Sequence, residues 1–280
     1  MLVTSFGKTN VGRVRKHNED AFVIIPEIGL WVVADGMGGH EGGEIASSIV
    51  CRTITQQVAK NASLKEAIQE AHRQVIAAAE RGDGAPGMGS TVVALQIKGS
   101  QFEIAWVGDS RAYLCGQSLQ LISHDHSYVQ QLIDAGAITE DQAQTHPQRN
   151  LITQSVGSVI NFELQVDSIT GVLNNGDKLI LCSDGLSGEV EFEQLESLSL
   201  KHRDPQMLVE AFINVALKNG GRDNVTAVVV TSPGSVGKLN NQGTFRNFFQ
   251  KLSPFYSGLL PMFSIMTVLT LYNLLKSLIF

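Results

Sequence analysis

The chain runs to 280 residues, 43% of them apolar, with a formal charge of −6 at pH 7. That length and apolar content suit one large globular domain or two small ones and exclude a disordered polymer. Beyond residue 231 lie four basic residues, Lys238, Arg246, Lys251 and Lys276, and no acid, so the body before them sets all 27 acids against 17 of the 21 bases; such a surface excludes nucleic acid as a partner and suits a protein that gathers carboxylates around cations.

Three well-separated cysteines, Cys51, Cys115 and Cys182, read as buried thiols in a reducing compartment. The first thirteen residues, "MLVTSFGKTNVGR", hold no apolar core of signal-peptide length, which predicts a cytoplasmic main domain.

In chain order, 2–6, 20–25 and 30–34 read as short strands, and 42–60 as a helix with Ile45, Ile49, Val50, Ile54 and Val58 near one face. A second helix starts at Ser63, which can cap it with Glu66 three residues on. "GDGAPG" at 82–87 fits a dinucleotide-binding spacing but follows a helix and leads into a strand, the reverse of the required order, so it reads as a loop. Period-two segments follow at 90–97, 102–109, 111–116 and 118–123, then helical spacing over 126–139, with His124 and His126 read as supporting and capping that helix. Strands at 162–170 and 177–183 precede a helix framed by Asp204, Pro205 and Gly220, and "NVTAVVVT" closes the domain as a strand. Strands in runs with helices in pairs predict antiparallel sheets covered by helices.

Residues 232–254 turn to Ser, Gly, Asn and basic residues and read as an exposed linker. From 255 to 280 the chain is apolar, uncharged for 21 residues before Lys276, close to the length that spans a bilayer. A tail anchor in the inner membrane is the expectation, with the basic linker facing anionic lipid; the alternative is an apolar helix docked on protein.

Three apolar strands each end on an aspartate followed at once by Gly or Ser: Asp35 in "LWVVADG", Asp109 in "FEIAWVGDS" and Asp184 in "KLILCSDG". Asp223 immediately precedes a fourth strand. In antiparallel sheets the start of one strand lies beside the end of its neighbour, so all four carboxylates can collect at one edge, where they repel unless a cation joins them. Oxygen ligands of this kind suit Mg²⁺ or Mn²⁺ rather than zinc. The glycines after Asp35 let a backbone carbonyl approach the ion and leave room for substrate. In "RVRKHNEDAF", Arg15 can fork onto phosphate oxygens while Glu19 and Asp20 hold water near the ions.

In this order and spacing, "RKHNEDAF", "VADGMGGH", "GSTVVAL", "VGDSRAYL", "SHDHS", "LCSDGL" and "RDNVTAVVV" resemble the bacterial metal-dependent protein phosphatases of the PP2C type, over residues 1–231. The resemblance implies an α+β fold, a four-layer α-β-β-α sandwich of two mainly antiparallel sheets flanked by helices, to which the apolar C-terminal helix would be added. It implies two Mn²⁺ or Mg²⁺ ions that activate water for in-line attack on a phosphoserine or phosphothreonine of a protein. Asp35 would bridge both ions, the Gly36 carbonyl would bind one, and Asp184 and Asp223 the other. Glu19 and Asp20 would act through water, Arg15 would hold the substrate phosphate, and Asn224 would support the site.

Two positions depart from the family pattern. The residue after Asp-Gly, a histidine and general acid in many eukaryotic relatives, is Met37, which leaves His40 or water for that role. The acid four positions after Asp184 in many bacterial members is Gly188, so a third ion on Asp109 would need Glu189 as its other ligand. The "LWVVADGMGGH" and "SHDHS" stretches are similar to phosphatases encoded with type VI secretion systems. The expected partners are phosphorylated proteins and a cognate bacterial Ser/Thr kinase. The rival reading is a non-catalytic phosphoprotein-binding sensor or scaffold on the same fold, and another is a phosphatase of small phosphate esters.

Overall fold

The computed structural model describes residues 3–38, 42–159 and 164–233. Its strands form two antiparallel sheets. The first takes β1 (Thr4–Asn10), β11 (Val225–Thr231), β10 (Lys178–Cys182), β7 (Arg111–Cys115) and β8 (Leu119–Leu121) in that spatial order. The second takes β2 (Asp20–Ile25), β3 (Leu30–Met37), β5 (Val92–Lys98), β6 (Gln101–Val107) and β9 (Asp167–Val172), with the short β4 (Gly89–Ser90) on β3. β1 and β2 are consecutive in sequence yet belong to different sheets, so the linking loop 11–19 crosses the end of the sandwich.

Three apolar layers define the stacking. Leu30, Val32 and Ala34 of β3 with Val92 and Ala94 of β5 meet α1 (Gly42–Ala59) and α2 (Leu64–Arg81) through Ala46, Val50, Ile54, Ile68 and Val75. The alternate residues, Trp31, Val33, Val93 and Leu95, meet Leu179, Leu181, Val228 and Val230 between the sheets. The outer face of the first sheet, including Ile180, Ala227 and Val229, meets α6 (Phe192–Lys201) and α7 (Pro205–Asn219) through Leu195, Leu208 and Phe212. The period-two pattern thus supplies both faces of each central strand with apolar contacts.

Local signals explain the clear helices. Ser63 and Glu66 form a reciprocal capping box on α2, and Gly82 ends it in the left-handed region at φ 79°. Asp204 accepts from the Met207 N–H and Pro205 fills the first turn of α7. The segment expected as one helix over 126–139 is instead α3 (Tyr128–Asp134), broken at Gly136 (φ 67°), followed by α4 (Glu140–Gln144) with its own cap at Thr139. Its N-cap is Ser127, which accepts from the Gln130 N–H; the two histidines do not cap it. Two further helices were not anticipated: α5 (Asp184–Ser187) and α6.

His40, the linker beyond Pro233 and the apolar segment 255–280 lie outside the described residues, as do 162 and 163 of the expected strand. Among the described residues no helix is long and apolar enough to cross a membrane.

Candidate active site

Strand parity builds the site. On β3, Trp31 and Val33 face the space between the sheets, so a period of two carries Asp35 to the same side. The same count takes Leu179 and Leu181 to Ser183 at the end of β10, and Val230 and Val228 to Thr226 on β11. Asp20 stands directly opposite Asp35 in the β2–β3 register. The Asp20 Oδ2 accepts from Ser183 Oγ at 2.8 Å and from Thr226 Oγ1 at 2.6 Å, while its Oδ1 is buried without a hydrogen-bond partner among the described residues.

Asp184 opens α5, and its carboxyl group lies against that of Asp35. Burial, reinforced by Asp20, Asp184 and Asp109, holds Asp35 well above the usual carboxylate range. Burial likewise pushes Asp20 up to about 7, despite its two hydroxyl donors, and Asp109 up to about 8, with Asp184 adding to the effect. Asp184 is raised by burial and then by Asp223. Four carboxyl groups thus crowd together, Asp20 and Asp109 buried and Asp35 and Asp184 partly open to solvent.

Two loops close this cluster. Asn224 accepts the Glu19 N–H on its Oδ1 at 2.8 Å and donates from Nδ2 to the Val11 and His17 carbonyls, both at 2.9 Å, so one amide side chain fixes the whole 11–19 crossing. Arg15 on that crossing donates from Nη2 to Asp223 Oδ2 at 2.7 Å, a contact that raises the arginine's pKa and leaves its side chain half exposed. Burial raises Glu19, opposed by Arg15.

Glycine is required where α1 begins. A Cβ on Gly36 would overlap the Gly43 carbonyl oxygen, and one on Gly43 would come within 2.6 Å of Glu19 Oε1. The Glu19 carboxylate therefore rests on the first turn of α1, where the helix dipole favours negative charge. Behind Asp35, the Thr91 hydroxyl accepts from the Asp35 N–H at 3.1 Å and pairs with Ser110 Oγ at 2.7 Å, and Ser90 Oγ donates to the Asp35 carbonyl at 3.0 Å.

Of the residues expected from sequence, Arg15, Glu19, Asp20, Asp35, Gly36, Asp109, Asp184, Asp223 and Asn224 come together at this end of the sandwich. Glu189 does not join Asp109. Arg222 forks its carboxylate at 2.8 and 3.1 Å and adds a backbone N–H at 3.0 Å, which lowers its pKa and holds it away as a structural ion pair. Asp109 sits nearer to Asp125, and Asp125 is forked by Arg111 from Nε at 3.0 Å and Nη2 at 2.7 Å. His126 takes the Gly108 N–H on Nδ1 at 3.2 Å, bracing the turn that carries Asp109. Sequence reasoning missed Thr91, Ser110, Ser183 and Thr226, although each lies inside a quoted motif; the available signal was a hydroxyl within three residues of Asp109, Asp184 and Asp223, while Thr91, 56 residues from Asp35, carried none.

The donor set fits hard divalent cations. Every group is an oxygen, one of them is a buried carboxylate oxygen lacking a donor, and the raised carboxyl groups are those an adjacent positive charge would return to the ionised form. No three His, Cys, Asp or Glu side chains already stand in a closed metal cage among the described residues. Asp223 gives Oδ2 to Arg15, and positions that the carboxylates leave open would be filled by backbone oxygen and water, as is usual for Mg²⁺.

A family model described as protein phosphatase 2C matches residues 12–229. The chain is 34% identical over 237 residues to the serine/threonine phosphatase stp of Listeria welshimeri, covering 80% of this chain and 93% of that protein. Its structure is similar to PppA, described as a key regulatory component of the type VI secretion system in Pseudomonas aeruginosa, with a TM-score of 0.73 and 37% identity over 82% of this chain and 97% of that one. It is also similar to the catalytic domain of the serine/threonine protein phosphatase PstP solved in complex with two manganese ions, with a TM-score of 0.73 and 31% identity over 82% and 97% of the two chains.

Proposed function

The chain belongs to the protein phosphatase 2C family and is a metal-dependent serine/threonine phosphatase, and we propose that the buried carboxylates at the end of its sandwich are the centre that does this work. The observation that carries the assignment is the Asp20–Asp35 pair, two carboxyl groups opposed across a ladder and enclosed with Asp184 and Asp109. Asp35, Asp184 and Asp223, with the Gly36 carbonyl, would hold two Mn²⁺ or Mg²⁺ ions, and Asp109 would lie at their margin. Such a pair of ions lowers the pKa of water and offsets charge on a phosphoryl group.

The chain's own residues set the remaining geometry. Arg15 reaches from the 11–19 crossing with a planar fork suited to phosphate oxygens, and substrate phosphate would compete with Asp223 for it. Ser183 and Thr226 pin one oxygen of Asp20, which leaves Oδ1 free to orient water. Glu19 is fixed through its backbone by Asn224 and through its carboxylate by α1. His40 or water would protonate the leaving alkoxide.

Around this centre the wider proposal is a catalytic domain over 1–231, a linker over 232–254 and a membrane anchor over 255–280, reversing a Ser/Thr kinase in signal transduction at the inner membrane. The uncharged 21-residue run before Lys276 and the acid-free basic approach support the anchor. Fractionating the full chain beside a form truncated after 235 tests it: the full chain should sediment with membranes and the truncated form should not. Rates on phosphothreonine peptides against small phosphate esters test the substrate class, and a preference for metabolites would overturn the protein-phosphatase reading.

A further inference from the structure

A groove of about 1390 Å³ opens beside the site and follows α1 away from it. It begins at His17, whose carbonyl Asn224 holds, and at Gly42, next to the glycine on which Glu19 rests. Ile45 and Ile49 give it an apolar floor, and the end of α2 with the turn at 82–85 forms its far wall. The glycine-rich turn that mimics a dinucleotide motif therefore has a place in the surface beside the site.

The charges along this groove are unevenly matched. Arg81 and Asp83 pair with each other at 2.9 Å. Glu44, in the first turn of α1, and Arg52, two turns on, are exposed, and their side chains have no hydrogen-bond or ion-pair partner among the described residues. Arg52 lies nine residues beyond Gly43, about 13 Å along a helix axis. An extended peptide covers that distance in about four residues.

We propose that this groove receives the flank of the phosphorylated substrate in extended form, and that Arg52 selects an acidic residue about four positions from the phosphoresidue. Glu44, between the site and Arg52, disfavours acids closer in. The substrate class is thus a phosphoprotein segment with a distal acid, and the acidic body of this protein leaves Arg52 as a local exception in charge. The inference rests on the phosphatase reading and specifies which phosphoproteins the same site takes.

The test uses the full chain with Mn²⁺ and three phosphothreonine peptides, identical except for acids at the third to fifth positions on the N-terminal flank, on the C-terminal flank, or alanines on both. p-Nitrophenyl phosphate, which has no flank, serves as the fourth substrate. One acidic peptide should show a KM about two- to fivefold below the alanine peptide, as expected of an exposed charge pair, with kcat unchanged. That advantage should vanish in Arg52→Ala, reverse in Arg52→Glu, survive in Arg52→Lys and fade in high salt, while the aryl ester is hydrolysed equally by all four proteins. Peptides hydrolysed without discrimination, or a preference that persists in Arg52→Ala and Arg52→Glu, would overturn the proposal and leave the phosphatase intact. Failure on every substrate would instead remove the phosphatase reading, and the groove's assignment with it.

Discussion

Asp20 and Asp35 occupy directly opposed positions of the β2–β3 ladder, so two carboxyl groups share one buried face of a sheet whose other central residues are apolar. Opposed like charges destabilise an antiparallel pair, and burial raises the cost. Stability does not account for the pairing, whereas the proposed ion centre does.

Its consequence for pH follows from the direction of the shifts. Asp20 and Asp109 are pushed up to about 7 and 8 in the fold and return to the ordinary carboxylate value when unfolded. Between about pH 4 and pH 8 the native state therefore binds more protons than the unfolded one, and stability falls as pH rises. The EDTA-treated protein should show a Tm that declines across this window, with a shallower decline in Asp20→Asn. Mn²⁺ should raise the Tm most at the alkaline end. A metal-free Tm that climbs from pH 5 to pH 8 would contradict the buried carboxylate cluster.

Gly36 can be tested without touching a charge. A methyl group there meets the Gly43 carbonyl, a backbone atom that cannot swing aside. Gly36→Ala should cost about 1–3 kcal/mol, as overpacking does, and separate α1 from Asp35. Denaturant unfolding reads the first effect and the Kd for Mn²⁺ the second. Unchanged values in both would mean that the close approach of α1 is not needed.

Asn224 makes three hydrogen bonds to the 11–19 crossing and none of the proposed ion contacts. Asn224→Ala orphans one N–H and two carbonyls, and should lower activity about 10- to 100-fold through misplacement of Arg15 and Glu19. Asn224→Asp keeps the acceptor for the Glu19 N–H and loses both donors, so it should recover only part of the loss. Activity of Asn224→Ala equal to wild type would show that Asn224 does not set this geometry.

Much of this was legible in the sequence because the relevant signals are local. Strand period, the Ser63 capping box and the Asp204–Pro205 start of α7 each lie within a few residues, and the repeated strand-then-aspartate pattern marked the site before any fold was known. Long-range contacts were not legible. Glu189 reads as a spare ligand in sequence, yet it is taken by Arg222, 33 residues away. The hydroxyls that hold Asp20 come from Ser183 and Thr226, more than 160 residues on, and only the sheet register brings them in. α5 has four residues, too few to show a helical period, and Glu191 at the N-cap of α6 makes no side-chain hydrogen bond to announce that helix.

The most direct test of the central claim is Mn²⁺-dependent phosphate release from a phosphothreonine peptide by the full chain, beside Asp35→Asn and an EDTA-treated sample. Release by the wild type that falls to background in both controls, with Asp35→Asn still folded, is the predicted result. Equal release by wild type and Asp35→Asn, or release that survives EDTA, would contradict a metal centre built on the Asp35 carboxylate.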